Sequence, residues 1–238
     1  KITRKTKAMV PVDYGGLPAR LAELKKLSSA RGILLIEDAA HALGASLGGK
    51  KVGSIADMTM FSFHPVKSIT TGEGGAITTN RRDFYEKLLC FREHGITKDP
   101  RRFLRKSEGG WYCEMQTLGH NYRLTDIQCA LGISQLKKLE RFIQKRRALA
   151  NRYHDNFSKN SNLILPCEYS GARSAWHLYP LRLKGNGVKR RPEIFRKLRE
   201  KGIGVQVHYI PVYLHPYYRK LGYRKGLCPR AEAFYEAE

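Results

Sequence analysis

Ile33-Leu34-Leu35-Ile36-Glu37-Asp38 runs four apolar residues straight into two acids. A short apolar run without polar alternation is the pattern of a strand covered on both faces, and such strands belong to parallel sheets. Just upstream, Leu17, Leu21, Leu24 and Leu27 recur at helical spacing with Lys25 and Lys26 on the other side. Residues 17–30 therefore read as an amphipathic helix that Gly32 ends. Downstream, Met58 to Phe63 and Ala76 to Thr79 read as two further strands. Asn80 is placed to cap a helix from Arg81 to about Glu93, with Asp83 three residues on. Strand and helix alternate, which predicts an α/β fold with a mainly parallel sheet.

Beyond this region, Ile127, Leu131, Ile133, Leu136 and Leu139 predict one long helix over 124–153, started by Thr125 or Asn121. Trp176 to Leu183 then reads as a strand, Pro192 to Lys201 as a helix with proline near its first position, and Gly204 to Ile210 as another strand. The expected division is a large domain over 1–135, a connecting helix over 136–158 and a smaller C-terminal α+β domain over 159–238.

At 238 residues, with 42% hydrophobic and 10% aromatic residues, the chain has ordinary globular composition and length enough for a core without disulfides or metals. The unusual feature is charge. There are 44 Lys and Arg against 21 Asp and Glu, a formal +23, which invites polyanionic or phosphate-bearing partners. No apolar run approaches the roughly 18 residues of a membrane span. Met9-Val10-Pro11-Val12 stops at Asp13, too short for a signal-peptide core. The five cysteines (Cys90, Cys113, Cys129, Cys167 and Cys228) form no closely spaced pair, so a reduced, cytoplasmic protein without structural zinc is expected.

Open α/β sheets place their ligands at the strand ends, and three features lie there. Asp38 closes a buried strand and can hold a positive charge in a partly desolvated place. Ser62-Phe63-His64-Pro65-Val66-Lys67 puts a hydroxyl and a lysine on the loop leaving a strand. A desolvated lysine is a nucleophile towards carbonyls. Thr70-Thr71-Gly72-Glu73-Gly74-Gly75 fits neither a P-loop nor the dinucleotide fingerprint, but its glycines allow close backbone approach. Taken singly, these are also a solvated loop acid, a surface lysine and a tight turn.

Taken together and in order, Glu37-Asp38-Ala39-Ala40-His41-Ala42-Leu43-Gly44-Ala45, Ser62 to Lys67, and Thr71 to Ala76 closely resemble the DegT/DnrJ/EryC1/StrS family of pyridoxal-phosphate-dependent sugar aminotransferases. Asn121-Tyr122-Arg123-Leu124-Thr125-Asp126-Ile127-Gln128 and Val207-His208-Tyr209-Ile210-Pro211-Val212 resemble it as well, most closely the branch that aminates UDP-linked 4-keto-6-deoxy amino sugars. The resemblance implies an aspartate-aminotransferase-like fold of fold type I. It also implies that Lys67 carries pyridoxal phosphate as a Schiff base and later moves the proton. Asp38 would pair with the pyridinium nitrogen, His41 would lie beside the ring and Ser62 would bond the phosphate. Asn121 would reach a neighbouring subunit's phosphate in a homodimer, and His208 and Tyr209 would approach the nucleotide sugar. The amino donor implied is glutamate, and Lys67 sets the chain apart from a dehydratase branch with histidine at that position.

Two departures accompany the resemblance. Pro11-Val12-Asp13-Tyr14-Gly15-Gly16 matches a mid-domain segment of the family, and Ala231 to Glu236 resembles the opening of a helix that the family continues. The first half of the sheet, with a phosphate turn and a ring-stacking aromatic, is thus expected to be missing. These residues alone are expected to bind the cofactor poorly or not at all. Two rival readings stand beside this one. The first is an inactive remnant. The second is a nucleic-acid-binding protein, suggested by Lys137-Lys138, Arg141 and Lys145-Arg146-Arg147 but unaccompanied by any nucleic-acid-binding motif.

Overall fold

The computed structural model describes residues 1–105 and 109–238. They form two units, one of residues 1–146 with 168–177, the other of residues 147–167 with 178–238.

In the first unit the elements are β1 (Ala8–Met9), α1 (Leu21–Ala30), β2 (Leu34–Asp38), β3 (Ser46–Leu47), β4 (Lys50–Lys51), β5 (Met58–Ser62), β6 (Gly75–Thr78), α2 (Arg82–Arg92), β7 (Ile96–Thr97), β8 (Glu114–Met115) and α3 (Asp126–Leu136). Helix α4 (Leu139–Phe157) starts here and runs on into the second unit. The principal sheet has the order β1-β2-β5-β6. Strands β1, β2 and β5 are parallel, with Ala8 opposite Leu34 and Ile36 opposite Met58. Strand β6 departs from the parallel expectation. It pairs antiparallel with β5, Ser62 opposite Gly75, because the 63–74 loop turns straight back without a crossover helix.

Two apolar clusters hold this unit. Leu21 of α1, Leu35 and Ala56 form one; Ala39, Ala42, Ala45, Val52, Phe61, Ile143 and Ala175 form the other. Helix α1 begins at Leu21 and not at 17, as Pro18 and the Leu21 N–H to Ala19 carbonyl bond hold the entry in a turn. The Asp57 carboxylate ties α1 to β2. It accepts from Lys25 Nζ at 2.6 Å and from the Leu35 N–H at 2.9 Å. Arg81, in extended conformation, stands at the N-cap of α2 in place of the expected Asn80, whose amide is drawn to the Ser54 carbonyl.

The single helix expected over 124–153 is two. It is interrupted at Lys137 and Lys138, where a tight Lys138 N–H to Gln135 carbonyl bond ends α3. The apolar residues of α3 and α4 serve different surfaces. Ile143 and Leu139 pack into the core, whereas Ile127, Leu131, Ile133 and Leu136 are exposed. Thr125 does start α3, with a full capping box involving Gln128.

The chain returns to the first unit at 168–177, where β10 (Ala172–Arg173) pairs with β3. The strand expected from Trp176 is absent at that end, because Trp176 has φ of 49°, a left-handed conformation that no strand accommodates.

In the second unit, β9 (Leu163–Ile164) pairs antiparallel with β11 (Arg182–Leu183). Helices α5 (Asn186–Lys189), α6 (Arg191–Glu200), α7 (Pro216–Lys220) and α8 (Pro229–Ala237) follow. Pro192 stands at the start of α6 as expected. Residues 204–210 form no strand: no partner segment pairs with them among the described residues. Helix α8 is held by buried Glu232, which accepts from Tyr213 Oη at 2.6 Å and the Gly226 N–H at 2.7 Å, and by Arg182 over the Phe234 ring.

Candidate active site

Strands β2 and β5 end side by side, so Asp38 and Ser62 leave the sheet at the same edge. The Ala40 N–H donates to Asp38 Oδ1 at 3.1 Å, which orients the carboxylate at the turn. The loop that follows Ser62 is bonded to itself. Phe63 N–H donates to the Gly74 carbonyl, Thr71 N–H to Phe63, and Lys67 N–H to His64 at 2.9 Å. Thr71 Oγ1 donates to the Glu73 carbonyl at 2.7 Å. Gly74, at φ of 153°, lies where a Cβ would fall 2.4 Å from Thr71 Oγ1 and 2.8 Å from Leu124, so only glycine lets the loop close. Helix α3 clamps this loop from outside, through Gln128 Nε2 on the Glu73 carbonyl and through Gly132 facing Thr71.

Lys67 is thereby presented on an internally hydrogen-bonded loop at the wall of a cavity of about 340 Å³. The same wall carries Ser68, Thr70, Gln135, Phe142, Lys145 and Arg146. Burial pushes the Lys67 ammonium below the usual lysine range, and the Asp38 carboxylate opposes that shift. The two groups predicted from separate segments thus act on each other. Arg146 is half-buried and donates to the Trp176 and His177 carbonyls at 3.3 Å.

His41 lies three residues past Asp38. Its Nδ1 accepts the Gly15 N–H at 3.3 Å and its ring lies 4.4 Å from that of His177. Neither Gly15 nor His177 was singled out as a site residue from the sequence. Gly15 lies in the quoted 11–16 segment, but His177 carries no local signal, since only the return of 168–177 brings it here. Gly16, at φ of 99°, could not carry a side chain: a Cβ would lie 2.9 Å from the His177 nitrogen and 3.0 Å from the His41 carbonyl. Ser62 Oγ accepts a long bond from the His64 N–H at 3.4 Å. Asn121 is exposed and forms an isolated bridge with Glu93 beside the end of α2. His208 and Tyr209 belong to the second unit, their rings 6.2 Å apart, with Tyr209 exposed.

Beneath the site lie two carboxyls that no motif announced. Asp13 and Glu37 are both completely buried. Glu37 Oε2 accepts the Thr59 hydroxyl at 2.6 Å and Asp13 Oδ1 accepts the Ala19 N–H at 2.8 Å. Burial, then the Glu37 and Asp38 charges, push Asp13 up to about 8 against the pull of the Ala19 bond.

The donor set fits pyridoxal phosphate: a partly desolvated amine for its aldehyde, a carboxylate for its ring nitrogen, and a hydroxyl and cations for its phosphate. Among the described residues, no group of three or more His, Cys, Asp or Glu is arranged to hold a metal ion, and no helix is long and apolar enough to cross a membrane.

The family model for DegT/DnrJ/EryC1/StrS aminotransferases matches residues 1–238. A UDP-4-amino-4,6-dideoxy-N-acetyl-beta-L-altrosamine transaminase of Campylobacter jejuni is 43% identical over 231 residues, which are 97% of this chain and 59% of that protein. The structure of Helicobacter pylori PseC, an aminotransferase involved in the biosynthesis of pseudoaminic acid, superposes with a TM-score of 0.90 at 37% identity, covering 99% of this chain and 61% of that one. The PLP-form of Spr1654 from Streptococcus pneumoniae superposes with a TM-score of 0.88 at 31% identity, covering 99% and 63%. The chain spans about three-fifths of the length of these relatives.

Proposed function

The chain belongs to the DegT/DnrJ/EryC1/StrS aminotransferase family, and on that premise we propose that it moves an amino group from an amino acid, glutamate by family resemblance, to the C4 ketone of a nucleotide-linked 4-keto-6-deoxy sugar. The observation that carries this reading is the placement of Lys67 on a cavity wall within electrostatic reach of Asp38. Pyridoxal phosphate, when bound, supplies an aldehyde that accepts the amine and a ring that disperses the charge left by a departing proton.

The chain's own residues do the rest. The Lys67 amine would hold the cofactor at its aldehyde and, when free, would move the proton away from or onto the substrate carbon. Burial lowers its proton affinity, with Asp38 opposing, and so favours the free base that both tasks need. Asp38 would hold the ring-nitrogen proton, and His41, braced by Gly15 and His177, would bound the ring. Ser62 would receive the phosphate, and Lys145 and Arg146 are cations on the cavity wall that carries Lys67. His208 and Tyr209 are assigned to the sugar nucleotide.

A homodimer is part of the proposal. The apolar residues Ile127, Leu131, Ile133 and Leu136 of α3 stand exposed, Ile127 at 84%, beside the Asn121 that would serve a second subunit's phosphate. All five cysteines are free, which accords with the reducing cytoplasm.

The test is reductive trapping, which captures even a small bound fraction. The protein is incubated with pyridoxal phosphate, reduced with borohydride, and the pyridoxyl label mapped by mass spectrometry. The label is expected on Lys67 and lost in Lys67→Ala. A label scattered over surface lysines with no preference for Lys67 overturns the reading.

A further inference from the structure

The two buried carboxyls beneath the site have one remaining unsatisfied oxygen each, Asp13 Oδ2 and Glu37 Oε1. Val12 pairs in parallel with Asp38, which puts Asp13 and Glu37 on the same face of adjacent extended segments, and Glu37 acts on Asp13 by charge and hydrogen bonding. Two ionised carboxylates have no donor between them, and at zero exposure neither is open to bulk solvent. A single proton placed between these two oxygens satisfies both, and the contact then becomes a charge-assisted O–H to O bond.

The position of this pair gives it a task. The Asp13 N–H donates to the Asp38 carbonyl and the Asp38 N–H to the Pro11 carbonyl, both at 2.9 Å, so the segment carrying Asp13 is the backbone partner of the residue that faces Lys67. Asp13 Oδ1 holds the Ala19 N–H and so closes the turn containing Tyr14, Gly15 and Gly16. Gly15 in turn holds His41. The charged and titratable groups facing Asp13 are Glu37 and Asp38 from β2 and Tyr169 from the returning segment, whose own ring lies under Arg20.

We propose that Asp13 and Glu37 share one proton as a latch, and that Asp13 is a positioning residue which through this latch fixes Asp38 and His41 in the site. When the proton leaves, two adjacent buried anions repel, and the turn that carries Gly15 moves off His41. The inference goes beyond the proposed transamination and concerns the geometry of the site whether or not a cofactor is bound.

Two measurements on the whole chain test it. Infrared difference spectroscopy at pH 7 is expected to show a protonated-carboxyl stretch that disappears on alkaline titration and is missing from Asp13→Asn and Glu37→Gln. Histidine-labelled NMR is expected to show the His41 signal shifting along the same titration in the wild-type chain and not in Asp13→Asn. The wild-type titrations need no variant, so a poorly folded substitution does not decide the matter. Absence of a protonated carboxyl at pH 7 overturns the latch, and a proton lost without movement of the His41 signal overturns the positioning role. Both signals present in a chain whose pyridoxyl label shows no preference for Lys67 would support the latch and count against the aminotransferase reading alone.

Discussion

Lys67 and Asp38 influence each other in a direction that can be measured without a substrate. Burial depresses the lysine's proton affinity and the Asp38 carboxylate partly restores it. Removing that negative charge takes away a stabiliser of the ammonium, so Asp38→Asn is expected to lower the Lys67 pKa further. The pH dependence of amine modification at Lys67 should shift to lower pH in the variant, and an unchanged or raised midpoint would contradict the geometry. At this scale the sequence was informative where chemistry-bearing residues sit close together in the chain: Asp38 with His41, Ser62 with Lys67. It was silent where partners arrive from afar. His177 reaches His41 across 136 positions, and Glu37 reads as one of two acids at a strand end until the fold buries it against Asp13.

Helix α3 is the element on which the Lys67 loop leans, through Gln128 and Gly132, and its first turn is secured by the Thr125 capping box. Thr125→Ala removes the acceptor for the Gln128 N–H and leaves that donor to water, which should cost about 1 kcal/mol. Chemical denaturation of the two chains checks this; no loss of stability would mean that the cap is dispensable. That start was readable in the sequence because capping depends on residues three apart. Where the helix ends was not, since the break at Lys137 and Lys138 comes from a change in what each helix packs on, and the hydrophobic spacing runs through it unaltered. The same limit explains β6, whose antiparallel direction is set by the return of the 63–74 loop and not by its own residues. It explains Trp176 too, whose positive φ stops a strand that composition favours. The two central strands were legible from their apolar runs, and α6 from the proline at its start.

Over the whole molecule, the +23 charge and the buried carboxyl pair pull stability in separable ways. Many surface acids are already taken by bases, as in Arg82–Glu86, Arg123–Glu93 and Arg196–Glu200, so the excess of basic groups repels itself and salt should ease it. A pH series must therefore be run at fixed ionic strength. On the acid side, burial alone would raise Asp57, but the Lys25 and Leu35 hydrogen bonds and the Lys25 charge outweigh it and hold the carboxyl low. Its contribution is complete above the unfolded value of 3.8 and is lost as pH falls through the lower folded value. Asp13 works in the opposite sense. Its folded value of about 8 lies above the unfolded 3.8, so the folded chain keeps a proton that the unfolded chain releases. That contribution is complete below pH 3.8 and declines as pH rises through 8, by up to about 1.4 kcal/mol per pH unit for one proton. Subtracting the unfolding free energy of Asp13→Asn from that of the wild type at each pH cancels the surface charges and Asp57, which both chains share. The difference should fall between about pH 4 and pH 8 and level off above it; a flat difference across that range would show that the native chain holds no extra proton there.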